Sequence, residues 1–141
     1  MNRLKEMLNS DIVRGVVRTA TGEVIEFHSP GVKDLFTLVV SRPNALVGAT
    51  VADRVIGRGA ALLLVLGKVE RVYASLISSQ AVEVFQEAGI RVDYDKMVPN
   101  IINRDGSGIC PVEKLTMSIT DPEVAREKIK EFLISKNIIE S

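Results

Sequence analysis

The stretch "GATVADRVIGRGAALLLVLG", residues 48–67, decides the architecture. Thr50 followed three residues later by Asp53 has the pattern of a capping box, in which a hydroxyl and an acidic side chain satisfy free amides at a helix start. The apolar run from Ala60 to Leu66 continues that helix, and Gly67 closes it. So apolar a helix is expected to be buried on most sides. Gly57 and Gly59 would each cost about 1 kcal/mol relative to alanine in a helix interior, a loss that close packing against a sheet offsets.

Upstream, "RLKEML" at residues 3–8 predicts a short amphipathic helix, and "DIVRGVVRTATGEVIEFH" predicts two strands around a turn at Ala20 to Gly22. Val32, Leu35, Phe36 and Val39 recur at helical spacing, and Pro43 with Asn44 ends that segment. Downstream, "VERVYASLI" and "IRVDY" read as strands. They flank a helix, "SSQAVEVFQEAG", with Ala81, Val82, Phe85 and Ala88 on one face and Gly89 as its stop. This βαβ unit makes its strands parallel. A helix follows from Pro111 to about Ile119, and a last one from Pro122, capped by Asp121, turns Val124, Ala125, Ile129, Phe132 and Leu133 inward. The sum is one α/β domain over residues 1–141, a three-layer α/β/α sandwich whose mixed sheet joins an N-terminal hairpin to parallel βαβ strands.

Composition narrows the function. Lysine plus arginine and aspartate plus glutamate each count 18, so no net field draws the chain to nucleic acid or anionic lipid. With aromatics at 4% and no tryptophan, stacking platforms for single strands are also disfavoured. One cysteine excludes an internal disulfide, and with one histidine it leaves too few soft ligands for a metal site within one chain. No metal or cofactor is expected. The longest apolar run falls far short of a membrane span and the N-terminus lacks a signal-peptide pattern, so the expectation is a soluble cytoplasmic protein.

A hairpin, a buried helix with an acidic residue in its first turn, then strand, helix and strand is the order of elements in the cytidine deaminase-like fold. The chain resembles an uncharacterised domain-of-unknown-function family, numbered eighteen ninety-three and described as having this fold. The likeness runs from about Gly48 through Leu133 and is carried by "GATVADRVIGRGAALLL", "NRDGSGICP" and "VEK". Zinc deaminases open the buried helix with His-Ala-Glu or Cys-Ala-Glu, where this chain has Val51, Ala52 and Asp53. They open the next helix with Pro-Cys-x-x-Cys, where it has Ser78 to Val82. The resemblance implies a fold and a pocket without the zinc ligands, which puts zinc-dependent deamination out of reach.

Candidate site residues cluster in two places. Asp53 is either a proton-shuttling acid or base or the cap of its helix. Arg54 and Arg58, four apart on that helix, either clamp an anionic ligand or line a solvated face. Asn103, Arg104 and Asp105 offer donors and acceptors to a nucleoside or ribose, or they form an ordinary turn. Gly106, Ser107 and Gly108 can shape an anion-binding nest. Cys110, at the N-cap before Pro111, is a buried hydrophobe, a ligand-lining thiol or a nucleophile favoured as thiolate by the helix start. Glu113 can complete a capping box through the Cys110 amide, and His28 reads as a strand end. The expectation is a nucleotide-like or ribosyl-phosphate ligand in the cleft between Asp53 and the 103–110 loop. The alternatives are a Cys110-dependent group-transfer enzyme and a non-catalytic regulatory or self-associating protein forming a homo-oligomer.

Overall fold

A computed structural model describes residues 1–103 and 105–140. Its hairpin joins β1 (Gly15–Arg18) to β2 (Val24–Phe27) through a turn in which Gly22, at φ 95, takes a left-handed conformation. Three parallel strands follow, β3 (Thr50–Ile56), β4 (Arg71–Ser78) and β5 (Arg91–Val98), in the sheet order β2-β1-β3-β4-β5, with β1 antiparallel to both neighbours. Helices α1 (Asn2–Met7), α2 (Lys33–Ser41), α3 (Arg58–Gly67), α4 (Ser79–Ala88), α5 (Pro111–Thr116) and α6 (Pro122–Ser135) cover the sheet. The fold is therefore a mixed α/β sandwich, as the periodicities predict. Among the described residues no helix is long and apolar enough to cross a membrane.

The opening stretch is corrected at its start. Residues 50–56 form a strand and not the first turns of a helix, so Thr50 and Asp53 make no capping box. Val51 and Ala52 are both fully buried yet belong to clusters on opposite faces of the sheet, which only a period-two element achieves. Pairing with β1 on one side and β4 on the other outweighs the local capping signal. Gly57, still extended, is the N-cap of α3, and Lys68 beyond Gly67 takes the left-handed position, φ 64, that ends the helix.

Helix α3 is buried almost throughout, as its composition predicts. The cause is double coverage, because α5 and α6 pack on it as well as α2 and α4. Gly57 and Gly59 owe their small size to this outer layer and not to the sheet. A Cβ on Gly59 would lie 2.5 Å from Cγ1 of Val112 in α5, and one on Gly57 would meet Ile101 and Glu113. Val112 is β-branched and cannot swing aside. The Gly59→Ala variant is therefore expected to lose about 1–3 kcal/mol in urea unfolding, although alanine is the better helix former.

On the opposite face α1 packs, with Leu4, Leu8 and Val13 seated on Val16, Ala52 and Tyr73. Two predicted apolar faces are narrower than expected, because Ala88 and Val124 are exposed. Helix α5 stops at Thr116 and not at Ile119, while α6 starts as predicted, its Asp121 side chain accepting the Glu123 amide at 2.9 Å.

Candidate functional site

A cavity of about 260 Å³ opens beside the C-terminal end of β3, the position where open α/β sheets ordinarily hold ligands. Its walls are mostly apolar, with Phe27 from β2, Leu35 from α2, Val55 from β3, Ala60 from α3, Ile101, and Val112 from α5. Arg14, Ser29, Asp53, Arg54, Asn103, Cys110 and Glu113 supply its polar groups.

Asp53 reaches this cavity because strand alternation aims it to the helix-covered face and because its register partner on β1 is Gly15. Any side chain on Gly15 would crowd the carboxyl, since a Cβ there would lie 3.2 Å from Oδ2 and 3.1 Å from the Phe27 ring. The carboxyl accepts the Val55 amide at the long distance of 3.5 Å. Asp53 is half-buried on the cavity wall. Burial raises its pKa from 3.8 to about 7, against the weaker opposing pull of the Val55 and Arg54 amides and of the Arg14 and Arg54 charges.

The two arginines do not share a helix face, which corrects the expected clamp. Arg54 lies on β3 and donates from Nε to the Val13 carbonyl at 2.9 Å and from Nη2 to that of Ser10, so it pins the strap between α1 and β1. Arg58 is the first residue of α3 and points away from the cavity. It is buried and donates to the carbonyls of Thr116 at 2.8 Å and Ile119 at 2.7 Å, closing the open C-terminal end of α5. It is a structural residue and no ligand clamp.

Glu113 plays a part that sequence reasoning missed. It does not reach the Cys110 amide, which is already bonded to the Ile101 carbonyl at 2.8 Å. Its carboxylate, 1% exposed, instead accepts the Arg58 amide at 2.9 Å, the Ser78 hydroxyl at 2.6 Å and the Ile101 amide. One side chain thus ties the start of α3, the start of α4 and the 99–110 segment together. The sole signal in sequence was its third position in α5, which fits capping equally well.

The glycine loop turns inward on itself. The Ser107 amide donates to the side chains of Asn103 at 3.1 Å and Asp105 at 2.9 Å, so the predicted anion nest is filled by the chain's own oxygens. Bonds from Ser107 hold the exposed Asp105 carboxyl below the usual carboxylate range. Asp105, Gly106, Ser107 and Gly108 lie off the cavity, whereas Asn103 and Cys110 line it. Arg104 lies outside the described residues. Cys110 is half-buried at the N-cap of α5, packed against the main core and without a capping bond from its side chain. His28 bonds the Ile12 carbonyl at 2.9 Å and does not line the cavity.

The residues that open α3 are Gly57, Arg58 and Gly59, not Val51 to Asp53, and they too carry no metal ligand. Among the described residues no three His, Cys, Asp or Glu side chains are grouped so as to share a metal ion.

The protein is thus a mixed α/β domain with an apolar cavity at its strand ends and a weakly partnered carboxyl on the wall. A family model described as a domain of unknown function, DUF1893, matches residues 3–133, and the chain belongs to that family. The fold is similar to the crystal structure of a DUF1893 family protein from Thermotoga maritima, with a TM-score of 0.83 and 26% identity over 92% of this chain and 87% of that one. No curated protein matches the chain.

Proposed function

We propose that the cavity binds a small nucleotide-like ligand, its ring held by the apolar walls and its anionic group by Arg14 at the mouth. The observation that carries this reading is the placement of Asp53 and Arg14 together on the wall of a mostly apolar chamber. Arg14 is half-buried and forms no ion pair among the described residues, which leaves its guanidinium available to a phosphate or carboxylate. The chamber is smaller than the roughly 300–1,000 Å³ of drug-sized pockets, which favours a single ring with its ribose reaching outward. The glycine loop is not the phosphate site in this reading, because the Asn103, Gly106 and Ser107 amides are already taken by the chain's own oxygens. The antiparallel pair followed by three parallel strands supports the finer description of the fold as cytidine deaminase-like.

Cys110, the one cysteine of the chain, reports on the cavity it lines. Occupancy by a nucleoside monophosphate is expected to slow maleimide labelling of Cys110 about tenfold at saturation, and Arg14→Ala is expected to weaken monophosphates more than nucleosides. Adenine and pyrimidine nucleosides and nucleotides that neither bind nor protect the thiol at millimolar concentration would overturn the reading.

A further inference from the structure

Two acidic side chains line the cavity, and they differ in how they are held. Among the described residues Glu113 accepts from three donors, while Asp53 accepts the Val55 amide only at 3.5 Å. Neither Arg14 nor Arg54 forms an ion pair with Asp53 among the described residues, and Arg54 is committed to two backbone carbonyls. A charge without a partner on an apolar wall is a poor state. A neutral acid there is a good one, because it presents an O–H donor and a carbonyl acceptor side by side. The complement of that pair is a cyclic amide, with its N–H next to its C=O.

Resting on the cavity reading above, we propose that Asp53 sets the ligand specificity of this cavity by pairing, as a neutral carboxylic acid, with the cyclic-amide edge of a small planar ring. Gly15 leaves the space in which the carboxyl can turn both oxygens to that edge, and Phe27 closes the wall beside it. Ionisation removes the O–H and sets an oxygen lone pair against the ring carbonyl, so the pairing weakens as pH rises through about 7. The other charged or titratable groups on these walls are Arg14, Arg54, Glu113 and Cys110. Arg54 is held by the Ser10 and Val13 carbonyls, the Glu113 carboxylate by its three donors, and a Cys110→Ser background removes the thiol from the comparison.

The test is calorimetric binding of 2-pyridone and of N-methyl-2-pyridone, which lacks the N–H, to the full chain at about pH 5.5 and about pH 8.5. Binding of 2-pyridone is expected to be about tenfold tighter at the lower pH, with the N-methyl compound about tenfold weaker there. Asp53→Asn retains a donor and an acceptor, so it should bind 2-pyridone without the pH dependence, and Asp53→Leu should lose the preference at both pH values. Equal affinity for the two pyridones, or an unchanged pH profile in Asp53→Leu, overturns the role of Asp53 and leaves the cavity reading standing. Failure of every ring compound and nucleotide to bind overturns both.

Discussion

Asp53→Asn is expected to be more stable than the natural chain at about pH 8, by about 2–4 kcal/mol, with the difference vanishing near pH 4. The carboxyl is raised from 3.8 to about 7 because burial disfavours its charge, so the folded state holds this proton more tightly than the unfolded chain does. Below 3.8 both states are protonated and Asp53 has no effect. Between 3.8 and about 7 the unfolded chain ionises first, and stability falls with rising pH. Above about 7 both states are ionised and the loss is complete. About three pH units at roughly 1.36 kcal/mol each set an upper limit near 4 kcal/mol. Urea unfolding of both proteins across this range measures the effect. Parallel stability profiles would mean that Asp53 is solvated in the folded chain.

Glu113→Ala is expected to lose about 3–5 kcal/mol, and Glu113→Gln nearly as much. Alanine leaves the Arg58 amide, the Ser78 hydroxyl and the Ile101 amide without their acceptor in a region closed to water. Glutamine has the right shape but the wrong chemistry. Its NH₂ must face either the Ile101 amide or the Arg58 amide, donor against donor in both orientations. Chemical unfolding that places the glutamine variant level with the natural protein would show that the carboxylate is not the acceptor of both amides. Because Ile101 and Glu113 also line the cavity, the glutamine variant is expected to bind ligands less tightly even under conditions where it remains folded.

Much of the fold was legible in local pattern. The hairpin at Gly22, the Gly89 stop of α4, the capped start of α6 and the buried face of α3 each depend on residues within a few positions of one another, where backbone preference and periodicity act directly. The error at Thr50 to Ile56 has a physical cause. Thr50, Val51, Val55 and Ile56 favour a strand, but the Thr50–Asp53 spacing also fits a cap. Nothing local breaks the tie, which the ladders to β1 and β4 decide through the burial of Val51 and Ala52 on opposite faces.

The same division runs through the site. Residue identity alone established which chemistry is scarce here, one thiol, one imidazole and no net charge, and it singled out Asp53, Asn103 and Cys110, which the fold brings to one cavity. It also singled out Arg58 and the Asp105 to Gly108 loop, which the fold spends on its own carbonyls and amides. The roles of Arg14 and Glu113, and the room that Gly15 leaves for the Asp53 carboxyl, came from packing. A side chain's role here depends on which donors and acceptors folding leaves unpaired, and that balance is set between segments up to 61 residues apart.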